Sequence, residues 1–279
     1  MTQSHSDLTP AEAAAALTWL VDMGADEVLL EKPVNRLVAV AKTEAPPVSP
    51  VQPNPQATPK QTPANWQPTA APDDLLGEAG RLASACNVVS ELQMTLNQFS
   101  VHPLKKTASN LCFIAGAAQS RILLLCDRPR TEEDRSGEVL AGKHQVLAER
   151  MLAAIGLCGM EVRDGAEQVV MASIIPWRPP GNRAPTELET GLCLPFVRRL
   201  IEIVQPKAIL CFSALPGQLL AGGEESITKA RGKWLSVNLG GRYIPLITTF
   251  HPETLLKSPG SKRLAWHDLQ AFRERLESP

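Results

Sequence analysis

Arg121-Ile122-Leu123-Leu124-Leu125-Cys126-Asp127-Arg128-Pro129-Arg130 decides the fold. An unbroken apolar run of strand length, followed at once by charge and proline, is the pattern of a strand buried on both faces. Such strands occur in parallel sheets covered by helices, and the rest of the chain supplies both. Gln145 to Ile155 is helical with Gly156 behind it, and Gln168 to Ile175 is again strand-like. Thr186-x-x-Glu189 forms a capping box for a helix running towards Val204. Lys207 to Ser213 and Tyr243 to Thr249 are further strands, and Lys262 to Leu276 closes the chain as a helix. The alternation predicts a three-layer α/β sandwich around a central four-stranded parallel sheet, with ligands taken beyond the carboxyl ends of the strands.

Upstream, three segments are expected. Residues 1–44 form a helical leader, with Thr9-Pro10-Ala11-Glu12 as its helix start. Residues 45–72 carry nine prolines among Gln, Thr and Ala and read as a linker that cannot bury a core. Residues 73–279 form the α/β domain, its core beginning near Phe99, and Asp73 or Asp74 caps a helix with Leu75, Leu82, Val89, Leu92 and Leu96 on one face.

Composition is that of a globular protein, 44% hydrophobic and 20% charged. No apolar run reaches the ~18 residues of a membrane helix, and the polar amino terminus lacks signal-peptide architecture, so a cytoplasmic protein with no membrane partner is expected. The six cysteines contain no Cys-x-x-Cys pair and read as reduced, buried thiols. Residues 1–100 hold 5 Lys+Arg against 11 Asp+Glu and residues 101–279 hold 23 against 18, so the halves carry −6 and +5. A basic domain behind an acidic leader suits an anionic partner such as nucleic acid.

Two loops carry the chemistry. Pro176-Trp177-Arg178-Pro179-Pro180-Gly181-Asn182-Arg183-Ala184-Pro185 follows the second strand, a stiff loop presenting guanidiniums and backbone donors. Thr249-Phe250-His251-Pro252-Glu253-Thr254-Leu255-Leu256-Lys257 follows the fourth, with Lys262 beyond it. The first resembles the RPPGNR-x-P loop of uracil-DNA glycosylases of the family 4 type, continued by Cys193-Leu194-Pro195-Phe196, and the second resembles that family's HPxxLL loop. Leu104 to Leu111 and Met151 to Leu157 extend the resemblance to about 175 residues.

The resemblance implies a DNA base-excision protein cleaving the N-glycosidic bond of a flipped uracil or other deaminated base. It implies Asp127 and His251 as the catalytic pair, and Leu140, Ser173, Arg128 and Pro129 around the base. DNA would be held by Arg178, Pro180, Gly181, Asn182, Arg183, Pro252, Leu255, Leu256, Lys257 and Lys262, with Leu255 and Leu256 as an apolar wedge. Single-stranded or mismatched DNA is the expected partner and a monomer the expected state.

The pattern breaks at named positions. Where the family has Gly-Glu-Ala-Pro-Gly, this chain has Cys126-Asp127-Arg128-Pro129-Arg130; Leu140 replaces a stacking Phe and Ser173 an Asn that reads the base edge. The family's four cluster cysteines fall near Phe99, His102, Trp177 and Cys193, so no iron-sulfur cluster and no other cofactor is expected, with Phe99 and Trp177 filling the space. A non-catalytic relative that binds DNA or a partner protein is the alternative, and an unrelated role on the same scaffold a third. Glu132-Glu133-Asp134 reads as a solvated acidic turn, with a carboxylate just past the catalytic loop that assists in water positioning as the alternative, and His5, His144 and His267 read as surface residues.

Overall fold

The computed structural model describes residues 72–160, 164–223 and 226–277. The leader helix and nearly all of the Pro-rich linker lie outside these residues. Six strands form the main sheet: β1 (Ile114–Gly116), β2 (Ile122–Cys126), β5 (Val170–Ser173), β6 (Ala208–Phe212), β7 (Trp234–Leu239) and β8 (Arg242–Thr249). Two short strands, β3 (Leu157–Cys158) and β4 (Glu167–Gln168), pair separately. The order is β1-β5-β2-β6-β8-β7. The four predicted strands are its parallel centre, and β1 and β7 add antiparallel edges to β5 and β8.

Both edges escape the apolar-run criterion for physical reasons. The first, β1, is only Ile-Ala-Gly; β7 alternates exposed and buried residues because one of its faces meets solvent. A tight Gly240-Gly241 turn, both residues at positive φ, returns β7 into β8.

Strand alternation divides the core into two layers. Leu123, Leu125, Ala172, Ile209 and Cys211 face the layer containing α1 (Pro72–Ala85), α2 (Val89–Gln98) and α5 (Glu187–Val204). Ile122, Leu124, Cys126, Met171, Leu210 and Phe212 face α4 (Gly142–Ala153), α8 (Pro252–Lys257) and α9 (Lys262–Glu277). The single helix expected after Asp73 is two helices, α1 and α2, broken at Asn87, whose backbone N–H donates to the Glu91 carboxylate. The capping box of α5 forms as its spacing dictates: Thr186 Oγ1 accepts the Glu189 N–H and Glu189 Oε2 accepts the Thr186 N–H. Of the remaining helices, α6 (Ala214–Ala221) packs into the first layer through Leu220 and α7 (Ile227–Ala230) against the second through Ile227, while the short α3 (Thr131–Ser136) follows β2.

Register brings the strand ends level. Cys126 is paired with Ser173 and with Phe212, and Phe212 with Thr249. The residues that follow β2, β5, β6 and β8 therefore leave the sheet from one end.

Candidate active site at the carboxyl ends of the parallel strands

Asp127 stands first beyond β2 and is buried. Its Oδ2 accepts from Arg128 Nη1 at 2.9 Å and its Oδ1 from Arg130 Nη1 at 2.8 Å. Burial opposes the charged form, but the guanidinium of Arg130, with His251 and Arg128, outweighs it and holds the carboxyl below the ordinary range. Arg130 is gripped in turn: its Nε lies 2.7 Å from Glu253 Oε2 and its Nη1 donates to the Arg128 carbonyl. The loop after β2 and the helix after β8 are thus joined by charge. Arg128 also reaches the Asn182 carbonyl at 3.5 Å, touching the loop after β5.

His251 is the N-cap of α8, its Nδ1 accepting the Glu253 N–H at 3.1 Å. The ring is 3% exposed, and burial first, then the Arg130 charge, lowers its pKa to about 3. It is neutral near pH 7, and with Nδ1 used as an acceptor its proton resides on Nε2. That Nε2 is buried without a partner among the described residues, as are the Ser173 and Ser213 hydroxyl oxygens. Buried polar atoms are rarely left unpaired, and three at one end of a parallel sheet mark a place for a ligand's polar edge.

Ser173 ends β5 on the face shared with Cys126 and Phe212, where Leu140 is also buried. Ser213, just past β6, holds φ 128° and ψ 166°, a backbone that L residues seldom adopt and that costs on the order of 1–3 kcal/mol. The site residues expected from sequence did not include Ser213. Its place at the end of the third strand is the signal that points to it, since ligands of such sheets lie beyond the carboxyl ends of the strands.

An open groove of about 570 Å³ between α2 and β1, lined by residues such as Val88, Gln93, Ile114 and Ile203, contains none of these groups and no ionisable side chain.

The family model of the uracil DNA glycosylase superfamily matches residues 113–270. The chain belongs to the uracil-DNA glycosylase superfamily. It is 30% identical over 171 residues to a type-4 uracil-DNA glycosylase of Thermotoga maritima, covering 60% of this chain and 84% of that protein. It is 29% identical over 160 residues to one of Archaeoglobus fulgidus, 56% of this chain and 77% of the relative. A third, of Sulfurisphaera tokodaii, is 29% identical over 168 residues, with shares of 59% and 74%.

On this superfamily frame the acidic turn requires correction. Glu133 and Asp134 are buried, because the short α3 turns both inward. Asp134 Oδ1 accepts the Ser109 N–H at 2.8 Å and pins the segment leading into β1. Glu133 Oε2 accepts the Arg130 N–H at 3.1 Å, and its Oε1 lies 2.9 Å from His144 Nδ1. His144 is thus no solitary surface residue: its ring stands edge to face against His251, centroids 5.7 Å apart. His267 is exposed, as expected. At Gly142 the backbone holds φ +55°, which favours glycine where the superfamily resemblance has one, and the Glu132 carboxylate lies against the place a Cβ would take.

The two loops present fewer free cations than the sequence suggests. Arg178 Nε donates to Asn182 Oδ1 at 2.8 Å, folding the loop on itself over a 3-10 turn at Pro180-Gly181-Asn182. Arg183 makes a two-pronged pair with Glu189, at 2.8 and 2.6 Å, tying the loop to the start of α5. Lys257 pairs with Glu253 at 2.7 Å but is 73% exposed. Lys262, at the start of α9, is exposed, and Pro252 is buried. Leu255 and Leu256 do not act as a pair: Leu255 is 1% exposed and packs with Phe250 and Phe212 in the core, whereas Leu256 is 41% exposed.

The positions of the family's cluster cysteines are packed with other groups. His102 Nε2 lies 3.2 Å from Cys193 Sγ and 3.1 Å from the Glu189 carbonyl, while its Nδ1 accepts the Leu104 N–H. The His102 ring lies against Trp177 with centroids 4.6 Å apart, and Phe99 packs on Phe196. Burial lowers the His102 pKa to about 4, against the Glu189 carbonyl contact. One thiol and one imidazole with both nitrogens engaged do not fit a group that takes four thiolates. Among the described residues no three His, Cys, Asp or Glu side chains are grouped to hold a metal.

Proposed function

We propose that this chain is a DNA base-excision protein that hydrolyses the N-glycosidic bond of a flipped uracil or other deaminated base. One observation carries the reading: His251 Nε2–H and the Ser173 hydroxyl are both buried and unpartnered at the strand ends that also hold Asp127. The relatives named type-4 uracil-DNA glycosylases support it.

In this reading a base extruded from the stack enters beyond β2 and β5, with Leu140 and Pro129 against it and Ser173 making one hydrogen bond to its edge. His251 Nε2–H meets the oxygen on which negative charge grows as the bond breaks; a preformed donor in a water-poor site is suited to that task. Asp127, held ionised by Arg128 and Arg130, offsets the positive charge on the sugar. Leu256 is the wedge, with Lys257, Lys262, Arg178 and the Pro180-Gly181-Asn182 backbone along the phosphates and Arg183 shaping that loop. Single-stranded or mismatched DNA is the substrate form, the protein acts as a monomer, and no cluster is held.

A second reading has its own observation. Both Asp127 oxygens are taken by guanidiniums, an arrangement that suits a non-catalytic DNA-binding relative equally well. Release of base from uracil-, hypoxanthine- or xanthine-containing oligonucleotides separates the two: turnover supports the first, and DNA binding without release supports the second.

A further inference from the structure

Hydrolysis needs a group that takes a proton from water, and Asp127 is poorly placed to be that group. Each of its oxygens already accepts from an arginine, and a carboxylate held in its ionised form gains little by protonation. Another carboxylate stands against the same loop. Glu133, 1% exposed, lies 2.9 Å from His144 Nδ1 and is itself fixed through its second oxygen by the Arg130 N–H. A buried carboxylate at Nδ1 selects the tautomer with the proton on Nδ1 and the lone pair on Nε2. The His144 side chain is 17% exposed, so solvent reaches it, and its ring lies against His251. Glu132 crowds the same helix start at Gly142, which disfavours a bound anion there and favours a neutral ligand such as water.

We propose that His144, oriented by Glu133, is the general base that activates water in this chain, a role displaced from the carboxylate after β2. The inference rests on the glycosylase reading above. In the step, His144 Nε2 takes a proton from water as the water oxygen bonds to C1′ of the sugar. The C1′–N bond breaks with its electron pair passing to the base, whose oxygen is held by His251 Nε2–H. The proton on His144 then leaves to the released base anion or to solvent. His144 touches the reacting water and is catalytic; Glu133 is a positioning residue.

The test is single-turnover base release from a single-stranded uracil oligonucleotide across pH 5 to 9, roughly the range in which a histidine titrates. Wild type is compared with His144→Asn and Glu133→Gln, with DNA affinity and circular dichroism measured alongside. Wild type is expected to lose rate at the acidic end, where a general base is no longer free to accept a proton. His144→Asn is expected to lose roughly 100-fold or more in rate and to lose that acidic limb, with DNA affinity kept. Glu133→Gln is expected to lower the rate and change the acidic limb with DNA affinity kept, because the carboxylate that orients the ring is gone; a merely structural role would not move the limb. His144 is partly exposed, so its variant keeps the test valid if Glu133→Gln unfolds. Wild type releasing base while His144→Asn stays within about threefold, its acidic limb unchanged, overturns this inference alone. Wild type releasing no base from any oligonucleotide overturns it together with the glycosylase reading.

Discussion

Arg130 Nε and Glu253 Oε2 lie 2.7 Å apart, so a residue four positions past the end of β2 is bonded to one four positions past the end of β8. Because the other arm of Arg130 holds Asp127, one side chain couples the buried carboxylate to the helix that carries the exposed Leu256.

Arg130→Ala is therefore expected to destabilise the fold by about 3–5 kcal/mol, since it leaves a buried carboxylate with one partner in place of two. Glu253→Gln, at a residue 28% exposed in its side chain, is expected to cost no more than about 1 kcal/mol. Urea unfolding of both variants checks the ranking. Equal losses would show that Arg130 stabilises through Glu253 and not through Asp127.

None of this coupling is legible in the sequence, although its participants are. Apolar runs reveal the four central strands, and the rule that ligands lie past strand ends points to the loops after them, but it is the resemblance to family 4 glycosylases that singles out Asp127, Ser173 and His251. The directions of Arg128 and Arg130 depend on which loops come level, and that follows from register between strands distant in sequence. Glu133 and Asp134 look like solvated charges because local composition carries no information about the backbone N–H groups and imidazole that satisfy them once buried. Likewise Leu255 and Leu256 are equivalent as letters, and only the helical turn of α8 sends one inward.

That split gives a paired prediction. Leu255→Ala should cost about 2–5 kcal/mol of stability, as a core truncation does. Leu256→Ala should leave stability within about 0.5 kcal/mol and lower base release from mismatched duplex more than from single strands, because only the duplex needs a wedge. Thermal melts and release rates on the two substrates check both; a duplex rate unaffected by Leu256→Ala contradicts the wedge role.

Stability should fall on acidification, and the sign follows from two buried histidines. His102 and His251 have pKa values lowered to about 4 and about 3, so below an ordinary value near 6.5 the unfolded chain takes protons that the folded chain refuses. The stability is complete above about pH 6.5 and is lost as pH falls towards 4, His102 alone contributing on the order of 3 kcal/mol. Urea midpoints at several pH values compare wild type with His102→Gln. A smaller acid loss in the variant is expected; an identical loss would remove His102 from the account.

The packing of His102 and Trp177 against Cys193 predicts protein that, purified without metal supplementation, holds no stoichiometric iron and shows no iron-sulfur absorption. Metal analysis and a visible spectrum test this directly. Stoichiometric iron with sulfide would contradict the reading of that site.

The most direct test of the central claim is base release from single-stranded and mismatched oligonucleotides containing uracil, hypoxanthine or xanthine, by wild type and Asp127→Asn at saturating DNA binding. Release by wild type, lost in Asp127→Asn while DNA affinity persists, is the expected result. No release of any base by DNA-bound wild type would contradict it.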